Sequence, residues 1–193
     1  LRQTGIALNK RSFFKKFVFF WSRIAAVAIL PLIAVIGFLI LRAMEDTPLD
    51  DVTITTAFGS MSSTNLPDGS SVWLNANSSL TYSPKMNSGT RDVFLHGEAY
   101  FEVRSDAAHP FNVHTPYITV TATGTEFNVN AYDSIASVTL VNGRVDVEVK
   151  EQSLQLNPGE HLAITDGKPV INNNIDTAKY CCWRNGMLIF EDE

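Results

Sequence analysis

The chain has 193 residues, with 15 Lys and Arg, 20 Asp and Glu, and a formal net charge of −5. The first 42 residues hold seven of the bases and no acidic residue, so the remainder is strongly acidic. An acidic remainder argues against a nucleic-acid-binding surface, which needs clustered Lys and Arg. A charged fraction of 18% beside 45% hydrophobic residues excludes global disorder. Two adjacent cysteines exclude a disulfide framework and a four-cysteine zinc site.

Residues 24–41 form a stretch of 18 residues without a charged side chain. As a helix this stretch would be roughly 27 Å long, close to the ~30 Å hydrocarbon core of a bilayer. Pro31 and Gly37 do not argue against a membrane helix, because such helices tolerate both residues. A cleaved signal peptide is the main alternative, but the residues that follow make a poor cleavage site. We therefore predict one uncleaved transmembrane helix over residues 24–41.

The distribution of charge predicts the orientation of this helix. Six Lys and Arg residues precede residue 24, whereas the acidic residues begin only after residue 44. Because positively charged flanks stay inside, residues 1–23 are predicted to be cytoplasmic and the acidic part to lie outside the inner membrane. Residues 42–56 are polar, acidic and contain Pro48, which predicts an exposed stalk.

Short runs of alternating apolar and polar residues fill the chain from residue 57 to residue 178. They have a period of two, are rich in β-branched and aromatic residues, and recur roughly every ten residues. Asp68-Gly69 and Asn142-Gly143 are signals for tight turns between such runs. The pattern predicts an all-β domain over residues 57–178, either a sandwich, a jelly-roll-like fold or a short twisted β-solenoid. Trp73 and Phe101 occupy apolar positions of this period, so both are predicted to be buried.

The last segment, residues 179–193, is predicted to form one more turn and an exit strand toward a missing C-terminal domain. Asn185-Gly186 would lie at the bend of this segment. Cys181 and Cys182 are predicted to be small hydrophobic residues of an edge strand, with exposed oxidation as the alternative.

Several residue groups suggest a binding or catalytic site, and each has a simpler structural explanation. Asp68-Gly69 with Asn75 and Asn77 could form a ligand loop, but turn chemistry accounts for the same residues. Glu98 and Glu102 share a strand face, which is more typical of a solvated rim than of a pair of glycosidase carboxylates. Six aromatic residues could form a carbohydrate-stacking platform, although such residues more often form a β-sandwich core. They are Trp73, Tyr82, Tyr100, Phe101, Phe111 and Phe127.

The four histidines lack the spacing of a cupin-type metal site, in which two His separated by one residue precede Glu and another His. They are His96, His109, His114 and His161. The chain also has no phosphate-binding loop, no nucleophile elbow and no His-Glu-x-x-His helix. The sequence therefore predicts no metal, no cofactor and no enzyme.

Seven sequence blocks carry a resemblance to a known family. They are 66–80 (LPDGSSVWLNANSSL), 97–103 (GEAYFEV), 110–113 (PFNV), 124–129 (GTEFNV), 140–145 (LVNGRV), 156–160 (LNPGE) and 183–190 (WRNGMLIF). In order and spacing these blocks resemble the FecR family of inner-membrane regulators of extracytoplasmic-function sigma factors, in particular its Bacteroidetes-type members. The resemblance covers residues 55–190.

The resemblance implies a single-pass anti-sigma regulator with two partners. One is an extracytoplasmic-function sigma factor on the cytoplasmic side. The other is the N-terminal signalling domain of a TonB-dependent outer-membrane receptor in the periplasm, loaded with an iron chelate or a glycan. The alternative is a membrane-anchored periplasmic β-domain that binds glycans or scaffolds an envelope complex. Family members have a longer cytoplasmic segment and a further C-terminal domain, so we expect this chain to be a fragment.

Gly124-Thr125 is the one pair with candidate chemistry. A Thr hydroxyl can attack the carbonyl of the preceding residue to give an ester that hydrolyses, and Gly leaves that carbonyl unhindered. Some members of the resembling family are thought to cleave themselves at a matching Gly-Thr. The alternative is a glycine bulge before a strand. We therefore take Gly124 and Thr125 as a candidate self-cleavage site.

Overall fold

The computed structural model describes residues 29, 31–39, 50–86, 90–132, 136–165 and 167–187. The chain divides into two compact units, Leu1–Pro48 and Leu49–Glu193. In the first unit, residues 29 and 31–39 are helical, whereas the other residues of the predicted membrane helix and all of 1–23 lie outside the described residues. Within the described part of the chain, no helix has the length and apolar character needed to cross a membrane.

The second unit is built almost entirely from β-strands, so the all-β prediction is confirmed. The strands among the described residues are β1 (Val52–Thr55), β2 (Ser62–Asn65), β3 (Ser71–Leu74), β4 (Ser79–Tyr82), β5 (Arg91–Glu102), β6 (Phe111–His114), β7 (Thr119–Ala122), β8 (Glu126–Ala131), β9 (Ser137–Asn142), β10 (Val145–Val149), β11 (Gln152–Leu156), β12 (His161–Thr165) and β13 (Lys168–Asn172).

Strand β5 is shared by two sheets. Its first half pairs with β4 and β6, and its second half pairs with β3 and β8. Sheet A therefore has the order β1-β4-β5-β6-β7-β10-β11, and sheet B has the order β2-β3-β5-β8-β9-β12-β13. The change of sheet occurs at Gly97, whose φ of +93° favours glycine and whose Cα faces Ser78 too closely for a side chain.

The inner faces of the two sheets enclose one apolar core. Its aromatic centre is Phe101, which stacks on Phe127 of sheet B at 5.2 Å between ring centroids and meets Phe111 of sheet A edge-on at 5.9 Å. All three rings are fully buried, as predicted for Phe101. The two sheets therefore share strand β5 and enclose a single core.

The predicted boundary between stalk and β domain is wrong by one strand. Residues 42–56 were expected to be a stalk, but Val52–Thr55 form β1 and pair with β4 in sheet A. Ile54 packs against the core while its neighbours face outward, so this strand has the same alternation as the others. The run is only four residues long and follows Asp50 and Asp51, which made it resemble the acidic segment before it.

The predicted exit strand within 179–193 is also wrong for the residues that the structure describes. The segment instead forms helix α1 (Thr177–Cys181) and a 3₁₀ turn (Cys182–Asn185). Asp176 caps the helix by accepting a hydrogen bond from the backbone N–H of Ala178 at 3.0 Å. Gly186, at φ +71°, ends the 3₁₀ turn, so the Asn-Gly pair terminates a helix and does not bend a hairpin.

Candidate functional site

The predicted self-cleavage pair lies immediately before β8. Gly124 has φ +146°, and a Cβ placed on it would lie 2.8 Å from both Cα and Cβ of Ser105. The backbone carbonyl of Thr125 accepts a hydrogen bond from the N–H of Val103 at 2.9 Å. The pairing of β8 with β9 also shifts register between Glu126 and Phe127, which agrees with the bulge alternative. Only glycine fits at position 124, because no space remains for a side chain.

The Asn142-Gly143 turn covers the other side of the same peptide bond. Gly143 has φ +90°, and a Cβ placed on it would lie 2.6 Å from Cγ2 of Thr125 and 3.0 Å from the carbonyl oxygen of Gly124. The second glycine is therefore needed for close approach as well as for the turn. The Gly124–Thr125 bond is held between the backbone of the loop after β5 and the backbone of the turn after β9.

The hydroxyl of Thr125 is buried and has no hydrogen-bond partner among the described residues. Such a group is uncommon, because an unsatisfied buried hydroxyl costs about 1–3 kcal/mol. Thr125 itself is 4% exposed. Beside it opens a cleft of about 330 Å³ that contains two carboxylates, Glu102 and Glu126. Ester formation requires a nucleophile next to the carbonyl that it attacks, and hydrolysis of the ester requires access to water, which the cleft supplies.

The Asp68-Gly69 turn is a structural element, as its turn chemistry indicated. One carboxylate oxygen of Asp68 accepts a hydrogen bond from the backbone N–H of Ser70 at 2.9 Å, and the other accepts from the Ser70 hydroxyl at 2.7 Å. The same carboxylate forms an ion pair with Arg91 at 3.2 Å. Asp68 therefore links the turn before β3 to the first residue of β5.

Arg91 is a residue that the sequence reasoning missed. It is 3% exposed, and its guanidinium lies 5.7 Å from the ring centroid of Phe111. Its N–H groups donate to the carbonyl oxygens of His109 at 2.6 Å, Arg104 at 3.0 Å and Asp106 at 3.2 Å. These three carbonyls belong to the loop that joins β5 to β6. An Arg at an inward position of an alternating strand was the available signal, because a buried charge needs partners.

A second cavity, of about 480 Å³, borders this arginine. Its lining is Pro67, Asp68, Met86, Arg91, Arg104, Ser105, Asp106 and His109. Ser105 is common to this cavity and to the contact with Gly124. The loop after β5 therefore separates the cavity from the Gly124–Thr125 bond.

The outer face of sheet B carries a buried carboxylate, which contradicts the prediction of a solvated rim at Glu98. Its two oxygens accept hydrogen bonds from the side-chain amides of Asn75 at 2.7 Å and Asn128 at 2.8 Å. The indole N–H of Trp183 faces this carboxylate without a well-formed hydrogen bond. Burial raises the pKa of Glu98, and the amides only partly oppose that effect. Glu98 is buried because helix α1 and the 3₁₀ turn, together called the cap, cover this face.

The cap is held to sheet B by aromatic and charged contacts. The guanidinium of Arg184 lies 4.2 Å from the ring centroid of Tyr100 and 5.0 Å from that of Trp73, and it pairs with Glu102 at 2.6 Å. The ring of Tyr180 stacks on that of His161, with 4.2 Å between the ring centroids. Trp73 is only half-buried, so its predicted place in the core is wrong: it faces outward beneath the cap. Phe101, Phe111 and Phe127 are in the core, as expected for the aromatic residues of such a domain, and not in a stacking platform.

The histidines and cysteines form no metal site in the part of the chain that the structure describes. His109 pairs with Asp106 at 2.9 Å and His114 with Asp92 at 3.1 Å, both on the surface. Cys181 and Cys182 are free and lie in the cap, not in an edge strand. Burial raises the pKa of Cys181 to about 12, so its thiol is protonated at neutral pH.

The chain is similar to one known protein family and to solved structures. Residues 52–146 match the family model described as FecR protein. A crystal structure at 2.50 Å of a "putative anti-sigma factor" from Parabacteroides distasonis ATCC 8503 is 33% identical with a TM-score of 0.68, and the match covers 71% of this chain and 66% of that chain. A 1.65 Å structure with the same description and source is 34% identical with a TM-score of 0.67, covering 70% and 65%. This chain therefore spans slightly less than two thirds of those proteins. No curated protein matches significantly.

Proposed function

Because the β domain of this chain belongs to the FecR family, we propose that the chain is an anti-sigma regulator that acts from the bacterial inner membrane. The observation that carries the proposal is the agreement between the family match over residues 52–146 and the 33–34% identity to structures described as anti-sigma factors. In this proposal the β domain transmits a signal and does not act on a substrate.

The proposed arrangement assigns one task to each part of the chain. Residues 24–41 cross the membrane, residues 1–23 lie on the cytoplasmic side where an extracytoplasmic-function sigma factor binds, and the β domain lies in the periplasm. There it responds to the signalling domain of a TonB-dependent receptor. The segregation of seven bases before residue 43 from all 20 acids after it supports this orientation.

A transcription reporter tests the regulatory role. The full-length protein would be expressed with a candidate extracytoplasmic-function sigma factor and compared with a variant lacking everything up to residue 23. We expect reporter activity to depend on the protein and the truncated variant to lose that control. A matched fusion of alkaline phosphatase after Glu193 should be active in a Gram-negative host. Transcription that never depends on the protein would refute the regulator, and an inactive fusion at normal expression would refute the topology alone.

A second proposed activity is self-cleavage at Gly124–Thr125, and the unpartnered, buried Thr125 hydroxyl favours it. The hydroxyl oxygen would attack the Gly124 carbonyl carbon, the C–N bond would break, and the hydroxyl proton would end on the freed amine of Thr125. Water entering through the adjacent cleft would then hydrolyse the ester to a Gly124 carboxylate and the original hydroxyl.

Intact-mass measurement tests this activity. We expect the wild-type chain to yield fragments 1–124 and 125–193, which remain associated until denatured. Thr125→Ser keeps a hydroxyl and should still cleave, whereas Thr125→Ala should stay intact. A wild-type chain that remains whole under every condition in which it is folded would show that Thr125 is only structural.

A further inference from the structure

The side chain of Arg91 organises the whole loop between β5 and β6. Its planar guanidinium reaches three carbonyls of that loop at once, those of Arg104, Asp106 and His109, within 2.6–3.2 Å. Only arginine has donors in a fork that can make these contacts together, whereas lysine presents a single ammonium group. The guanidinium nitrogen that donates to the Arg104 carbonyl also forms the ion pair with Asp68, at 3.2 Å.

The same loop determines the conformation of the Gly124–Thr125 bond. The backbone N–H of Asp106 donates to the carbonyl of Thr123 at 3.0 Å, and the N–H of Val103 donates to the carbonyl of Thr125 at 2.9 Å. Between these two bonds, Ser105 lies against Gly124 with no space for a side chain. The loop therefore contacts the backbone on both sides of the bond that would break.

The opposite wall of this arrangement does not depend on Arg91. It is the Gly143 turn, which contacts the Thr125 methyl group and the Gly124 carbonyl. Fixing the Thr125 methyl group limits rotation of its side chain, so the position of the hydroxyl relative to the Gly124 carbonyl carbon depends on how the loop places the peptide. Small displacements of reacting atoms lower rates steeply.

We propose that Arg91 is a positioning residue for the cleavage of the Gly124–Thr125 bond, acting through the loop that it holds by three carbonyls and through its ion pair with Asp68. This inference rests on the proposed self-cleavage. The role of Arg91 is in the attack of the Thr125 hydroxyl on the Gly124 carbonyl carbon, before the ester is hydrolysed. Arg91 itself touches neither reacting atom.

The test follows cleavage of the full chain over time after cell-free synthesis in detergent, on denaturing gels. Arg91→Lys keeps the charge and the ion pair but loses the fork, and we expect cleavage to slow about 10-fold or more. Leu80→Ala is the control, because it removes a fully buried core side chain from β4, which pairs with β1 and β5. At comparable loss of thermal stability, this control should cleave at the wild-type rate.

Hydroxylamine separates an effect on the attack of the hydroxyl from an effect on the later hydrolysis of the ester. It cleaves esters, so in its presence the rate of product formation reports the attack of the hydroxyl alone. We expect Arg91→Lys to remain slow in hydroxylamine. If hydroxylamine restores the wild-type rate, Arg91 acts on hydrolysis and the inference is overturned.

The outcomes distinguish the two proposals. If wild type and Thr125→Ala both stay intact, self-cleavage fails and the role of Arg91 fails with it. If wild type cleaves and Arg91→Lys cleaves equally fast, self-cleavage stands and only the positioning role is refuted.

If Arg91→Lys does not fold, Asp68→Asn replaces it, because that change leaves the three carbonyl bonds available. We expect Asp68→Asn to slow cleavage about threefold, and an unchanged rate would refute the positioning role of the ion pair between Asp68 and Arg91.

Discussion

The outer faces of sheets A and B differ although strand β5 runs through both. On sheet A, Phe94 is 54% exposed and stacks on the His114 ring at 5.1 Å in an open polar surface. On sheet B, Tyr100 is 2% exposed and Asn128 is 3% exposed, because the cap covers them. Alternation along a strand identifies the inner face, but it does not show whether the outer face meets water or another part of the chain.

Two carboxylates of β5 show the electrostatic consequence. Asp92 on sheet A and Glu98 on sheet B both accept hydrogen bonds from asparagine amides. For Asp92, burial raises the pKa, but hydrogen bonds from Thr90, Asn112 and His114 outweigh it and leave the pKa below its ordinary value. For Glu98, burial is the larger effect and the pKa is raised. Similar partners therefore give opposite shifts, because only Glu98 lies beneath the cap.

The largest expected effect contrasts the inner and outer faces of sheet B. Phe101→Ala should lower the free energy of unfolding by about 3–5 kcal/mol, the usual result of deleting a fully buried aromatic ring. Trp73→Ala should cost less, about 1–2 kcal/mol, because the indole is only half-buried beneath Arg184. Urea unfolding of residues 49–193 measures both. Equal losses would mean that the outer face is packed as tightly as the core.

The second prediction concerns the contact between the cap and sheet B. Trp183→Ala should cost about 2 kcal/mol, because a buried indole is lost at the edge of the domain. It should also expose Glu98, so the pKa of that carboxyl should fall toward its ordinary value. Urea unfolding and a carboxyl titration by NMR measure the two effects. Tyr117→Ala, at an exposed position, is the control, and an equal effect there would show that the cap contributes nothing specific.

Much of this architecture could be predicted from the sequence, because the period of two directly reflects burial. The inward residues of β10, Val145, Val147 and Val149, are buried as the pattern indicated. The cap could not be predicted in this way. Its burial depends on contacts with strands distant in sequence, such as the pairing of Arg184 with Glu102, and its helix is too short for a periodic signal.

The site shows the same division. The glycines at 124 and 143 could be identified as special from local turn and bulge chemistry, but their contact across the Gly124–Thr125 bond depends on the register of β8 and β9. Arg91 and Asp68 lie 23 residues apart in sequence, and only the sheet topology brings them together. A single sequence shows that Arg91 and Asp68 are present, but it does not show that they lie close together in the folded domain.

The third prediction concerns pH and the carboxylate beneath the cap. The pKa of Glu98 is raised in the folded protein, so folding favours its protonated form. The stabilisation is complete below the ordinary carboxyl pKa and is lost as the pH rises through the raised value. Glu98→Gln should therefore gain stability relative to wild type as the pH increases from about 4 to about 8. Asp92→Asn is the control. The pKa of Asp92 is lowered, so its contribution to stability changes only below about pH 4, and this variant should keep a nearly constant difference from wild type over the same range. Thermal melting from about pH 4 to about pH 8 distinguishes the two variants.

The smallest expected effect lies on the open face of sheet A. Phe94→Ser removes a ring that is mostly exposed, so little apolar area is transferred to water on its loss. What remains is its stacking on His114, a cross-strand pair of a kind that contributes about 0.2–1 kcal/mol. We expect a change in unfolding free energy below about 1 kcal/mol, with no change in the ionisation of Glu98. His114→Ala should have a similarly small effect, because it removes the other ring of the same pair. A loss as large as that of Trp183→Ala would show that the face of sheet A is covered as sheet B is, and the contrast between the two faces would then disappear.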